Sequence, residues 1–189
     1  MNERPESSAL PTDLPAGRVE QIALLRRLDA EVVAAAAEFG LRVERAAGSW
    51  VSYRAAQRAI VVAPDQELDP DDCLLQIVLH ELCHWMVQGP AAVAYDDWGL
   101  DNQTADDEAC EHAALMLQRT LLAPRALVDV LEPTTEFRAY YRELGFDPPT
   151  CAASTAASAG LDRWRAHSAR SSMENVLQRA VLLLDALHG

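Results

Sequence analysis

Apolar side chains recur at helical spacing from Ile22 through Leu25, Leu28, Val32 and Ala36 to Phe39, and Gly40 follows at once. Such a stripe buries one face of a helix, and glycine is a frequent stop. The period then changes. Residues 41–46, 49–54 and 59–63 are short β-branched or aromatic runs with turn signals at Gly48 and Pro64. They predict two or three antiparallel strands, or a small mixed sheet. Residues 65–72 are acidic and contain Pro70, a composition that starts a helix because carboxylates satisfy its first amides and its dipole. That helix is predicted over 73–88, ending at Gly89-Pro90. Apart from Gln76 and three polar residues in its middle, it is apolar from Cys73 to Val87, and is therefore the element buried on nearly all sides.

Residues 89–103 read as a long loop carrying Tyr95, Trp98 and several aspartates; loops of that length in a compact domain are usually functional. Thr104 can cap a helix to about Leu122, stopped by Pro124. Further helices are predicted over 125–131, 135–144 and 161–187, the last breaking near Ser171-Ser172. Residues 152–159, rich in alanine and serine, read as linker or weak helix. Residues 1–15 read as a flexible leader, and 16–189 as one α+β domain with a core over 16–124 and a helical extension over 125–189. No internal repeat is visible.

Composition narrows the function classes. A chain of 189 residues can bury one core, and 50% hydrophobic with 24% charged residues is ordinary for a globular protein. The net charge of −13, with basic residues scattered and not striped, argues against nucleic acid as a partner. The N-terminal stretch is polar, with Pro5, Pro11 and Pro15, and has neither the basic start nor the apolar run of a secretory signal. The apolar runs fall short of a membrane span, so a cytoplasmic protein without membrane association is expected. Cys73, Cys83, Cys110 and Cys151 form no C-x-x-C pair and read mainly as buried small hydrophobes in a reducing compartment.

The candidate chemistry lies inside the apolar helix, at His80-Glu81-Leu82-Cys83-His84. At about 100° per residue, His80 and His84 project within about 40° of each other, one turn apart, so two imidazoles can share one ion. Glu81 is rotated about 100° from His80, off the ligand line but within reach of a water on the same ion. Burying these three groups in an apolar helix costs several kcal/mol unless they are paired or ligated. Zinc is the expected cofactor, and a catalytic zinc needs a third protein ligand and one open position. A third histidine six residues on is excluded, because Pro90 stands there. The candidates are Glu108, Glu111 and His112. Glu108 is preferred, since it lies at heptad spacing with Leu115 and Leu122 and a helix burying those leucines would turn it inward.

These motifs resemble those of the zincin metallopeptidases, and among them most the ImmA/IrrE-type gluzincins, over about residues 48–124. The matching stretches are His80-Glu81-Leu82-Cys83-His84, Glu108-Ala109 and Leu121-Leu122-Ala123-Pro124. The resemblance implies a minimal zincin-like fold: an N-terminal helix, a small sheet, a buried HExxH helix, a third-ligand helix and a helical C-terminal third. It also implies Glu108 as third ligand. The chain departs from the family pattern in having Cys83 where a glycine is usual, and Cys110-Glu111-His112-Ala113 after Glu-Ala.

The expected function is that of a zinc-dependent hydrolase acting on a protein or peptide, with Glu81 as general base. Tyr95, Tyr140, Tyr141 and His167 are candidate donors to the oxyanion. Two other readings remain: a non-catalytic interaction protein on a zincin scaffold, and a metal or redox sensor using Cys83 or Cys110.

Overall fold

The run predicted as one helix up to Gly40 is two, α1 (Arg18–Leu25) and α2 (Asp29–Glu38), joined by a 3-10 turn at Arg26–Leu28. The turn keeps Ile22, Leu25, Leu28, Val32 and Ala36 on the buried side. The computed structural model describes residues 17–101, 104–133, 137–144 and 152–188, so the leader expected over 1–15 lies outside the described residues.

Three strands follow, β1 (Arg42–Arg45), β2 (Val51–Arg54) and β3 (Ala59–Val62), in the order β1-β3-β2. β3 pairs antiparallel with β2, placing Tyr53 opposite Ile60, but parallel with β1, placing Val43 opposite Ile60. The sheet is thus mixed and not purely antiparallel. Polarity explains the order. Ala59, Ile60, Val61 and Val62 are all buried and take the centre, whereas Arg42, Glu44 and Arg45 suit an edge, where charge also discourages further pairing.

The sheet leads into α3 (Leu74–Gln88), in which every residue from Leu74 to Val87 except His80 is buried. Gly89, at φ 91°, turns the chain away from the helix axis. Two 3-10 turns, Pro90–Ala94 and Asp96–Gly99, then occupy most of the segment predicted as loop. α4 (Ala105–Leu122) starts at Thr104, whose side chain and that of Asp107 cap each other's backbone amides.

After α4 the sequence reading needs correction. Arg125 closes a 3-10 turn, Ala123–Arg125, and residues 126–131 form turns, not a helix, because Ala126 takes a left-handed backbone, φ 55°, that interrupts the helical path; the carbonyls of Asp129 and Glu132 accept from Arg18, and that of Leu131 from Gln118. The helix predicted over 135–144 is α5 (Arg138–Glu143), with 134–136 outside the described residues. Residues 152–159 belong to α6 (Ala152–Ala166), and the break before α7 (Arg170–His188) falls at His167, not at Ser171-Ser172. There the His167 ring accepts from the amide of Ala169 and stacks on Phe39.

α6 packs against both α3 and α4. At the crossing stands Gly160, where a Cβ would lie 3.1 Å from Leu117 and 3.2 Å from Val87. Arg163 donates to the carbonyls of Met86 and Val87, which the end of α3 leaves without helical partners. The C-terminal helices therefore share one core with the rest of the chain. No helix among the described residues is long and apolar enough to cross a membrane.

Candidate metal centre

α3 and α4 bring three of the predicted residues together. His80 Nε2 and His84 Nε2 lie 3.0 Å apart, and the Glu111 carboxylate is 3.1 Å from the first and 3.0 Å from the second. Among the described residues this is the group whose ligand atoms, all within 4.8 Å of one another, could hold a metal ion. The site is largely enclosed: the side chains of His80, His84 and Glu111 are 22%, 6% and 12% exposed.

The carboxylate that converges with the two histidines is Glu111, one of the two alternatives beside His112, and not the preferred Glu108. The Glu108 side chain is 64% exposed and lies 3.9 Å from His112. Its heptad partners Leu115 and Leu122 are buried as expected, but the first turns of α4 lie at the surface and continuous burial begins at Ala113. A stripe that faces the core further along meets no core there. His112 packs its ring on Tyr140, with centroids 3.6 Å apart, and stays outside the converging group. A sequence signal for Glu111 did exist: Gln118, fully buried in an apolar run, lies seven residues on and only about 20° away around the helix.

Two neighbours orient the group. Gln118 places its Oε1 2.9 Å from His80 Nδ1 and donates through Nε2 to the Leu131 carbonyl at 2.9 Å. Trp98 donates from its indole Nε1 to Glu81 Oε2 at 2.7 Å. Sequence reasoning placed Trp98 only in a loop bordering the site. Asp97 and Trp98 adopt left-handed backbone angles, φ 47° and 60°, a conformation that costs a non-glycine residue about 1–3 kcal/mol and persists only where its surroundings impose it. Here they do. Asp97 accepts from the Tyr53 amide and Asp96 from the Ala55 amide, each at 2.8 Å, on the far edge of β2. The Tyr53 ring stacks on Trp98 at 3.7 Å.

The group opens into a cleft of about 240 Å³ with apolar walls from Trp50, Val51, Ile77, Leu100, Pro133 and Phe137. None of Tyr95, Tyr140, Tyr141 and His167 lines it. Tyr95 is exposed and Tyr141 buried, while His167 is stacked among Phe39 and Trp85.

Electrostatics favours a cation. Burial pulls His80 down, but the Glu111 carboxylate outweighs it and lifts the imidazole to about 9. Burial would raise Glu111, yet the two imidazoles hold its carboxyl well below the usual carboxylate range. Without a metal, a proton on His80 supplies the positive charge. A divalent ion can take that place, because donors around a zinc-sized ion at its usual bond lengths stand about 3.3 Å apart, close to the separations found. The residues present fit such an ion. Cys73, Cys83 and Cys110 do not join the group, and Cys151 lies outside the described residues; burial pushes Cys73 up to about 12 and Cys83 higher still, which keeps both as thiols.

Comparison of the chain with family models, with curated proteins and with solved structures finds no match in any of the three.

Proposed function

We propose that this chain is a metal-dependent hydrolase, with zinc held by His80, His84 and Glu111, and that its substrate is a peptide or protein. The observation that carries the reading is Glu81. Two imidazoles and a carboxylate also suit iron(II) in oxygen chemistry; a second carboxylate one residue from the first imidazole is what hydrolysis needs. Zinc, when bound, supplies Lewis acidity toward a water and toward a carbonyl oxygen.

The rest is work for the chain's own groups. Trp98 holds one oxygen of Glu81 and leaves the other to take a proton from the attacking water and return it to the leaving amine. The apolar cleft walls lower the local dielectric on one side of these groups, which strengthens each of the polar contacts. With Glu81, Glu111 and Asp97 lining it, the cleft favours neutral or basic segments near the scissile bond.

The test is elemental analysis of protein purified without added metal, combined with cleavage of a peptide library by wild type and Glu81→Gln. One zinc per chain in both proteins is expected, with turnover reduced about 10²- to 10⁴-fold in the variant. A full complement of zinc without cleavage by wild type would select the non-catalytic scaffold. Iron in place of zinc would redirect the reading to oxygen chemistry.

A further inference from the structure

We infer that Gln118 is a positioning residue for this centre: it fixes the His80 proton on Nδ1 and so presents the Nε2 lone pair to the ion, a role that rests on the metal reading above. Gln118 is fully buried in α4, where both ends of its amide need partners. Its contact with the Leu131 carbonyl settles which end is which, because a carbonyl only accepts and must face the NH2. The amide oxygen then faces His80 Nδ1 at 2.9 Å. That oxygen also only accepts, so the ring hydrogen sits on Nδ1. In the neutral ring Nε2 is then bare, and it is the atom that lies against His84 and Glu111. His84 has no such guide, since its Nδ1 is buried with no partner among the described residues. The same stripe of α4 thus delivers both a carboxylate donor, Glu111, and the amide that sets the tautomer of the imidazole opposite.

Zinc affinity of the full chain, measured by competition with a chromophoric chelator, separates this from a structural role. Gln118→Leu removes the acceptor and is expected to weaken zinc binding ten- to hundredfold, the usual effect of losing an outer partner of a metal-bound histidine. Gln118→Glu keeps an acceptor for His80 but cannot donate to Leu131, and is expected to bind zinc close to the wild-type value. Equal losses in both variants would mean that the strap to Leu131 is what matters, and would overturn the inference, as would unchanged affinity in Gln118→Leu. Should Gln118→Leu not fold, the 15N histidine spectrum of zinc-loaded wild type decides: a hydrogen retained on His80 Nδ1 supports the assignment, and one on Nε2 refutes it. Wild type that binds no zinc takes down the metal reading itself, a result distinct from any difference among the variants.

Discussion

Among the described residues, two buried polar clusters are balanced differently. Beside the start of α1, Arg18 reaches Asp71 at 3.1 Å and Glu132 at 3.0 Å, while Arg138 meets Asp71 and Arg142 grips Glu132 with both of its forks. Each carboxylate there has a guanidinium, a pairing that the planar arginine group makes with both oxygens at once. The second cluster, His80, His84, Glu81 and Glu111, has two carboxylates and, among the described residues, no arginine paired with either. A proton on His80 offsets one of them. The first cluster is balanced by its own arginines; the second, even with that proton, has one carboxylate without a counter-charge.

Removing one member of each cluster should therefore have opposite signatures. Arg18→Ala removes the buried guanidinium that Asp71 and Glu132 share and leaves them to Arg138 and Arg142; it is expected to cost about 3 kcal/mol in urea unfolding, while zinc bound per folded chain stays the same. Glu111→Ala is expected to weaken zinc binding by about a hundredfold or more, since a direct ligand should matter at least as much as an outer partner. Glu108→Ala, by contrast, should leave zinc content as in wild type, and a loss there would return the third-ligand role to Glu108. Trp98→Phe keeps most of the ring stacked on Tyr53 but removes the donor to Glu81. A loss of about tenfold in kcat with zinc content unchanged is expected, the scale of one hydrogen bond to a charged group.

The smallest effect concerns pH. His80 titrates above its ordinary 6.5, so its contribution to the metal-free fold is full below that value and is lost as pH rises through about 9. Glu111 titrates below its ordinary 4.5, so its contribution is present above that value and fades as pH falls. Metal-free protein should accordingly lose stability between pH 6.5 and 9. Zinc-loaded protein should not show that loss, because the ion replaces the His80 proton in the folded state while the unfolded imidazoles are already largely neutral above about 6.5. Urea midpoints that move in the same direction with and without zinc would contradict the shared site.

The contrast between the clusters was only partly legible in the sequence. α3 was readable end to end, because an apolar run, a glycine stop and two histidines one turn apart are local signals. The start of α4 was readable from Thr104 and Asp107 for the same reason. The choice between Glu108 and Glu111 was not, since 60° of helix rotation separates them and only the extent of the facing helix decides which one meets a partner. Trp98 was hidden because its position depends on two left-handed residues held by β2, which no periodicity records. The turns after Arg125 were not legible because an alanine, Ala126, takes a left-handed backbone that its residue type does not announce. The parallel pairing of β1 depends on which strand takes the middle, a contest among all three.

The crossing at Gly160 has a consequence for the C-terminal third. The helix that carries the histidines and the helix that carries the carboxylate both rest on α6, and at that point a methyl group fits only if Leu117 and Val87 give way by a few tenths of an ångström. The gauge of the donor set is thus held in part by a segment that contributes no donor, as a spacer between two jaws sets their opening. Enlarging that one position would widen the bite without touching any group that grips.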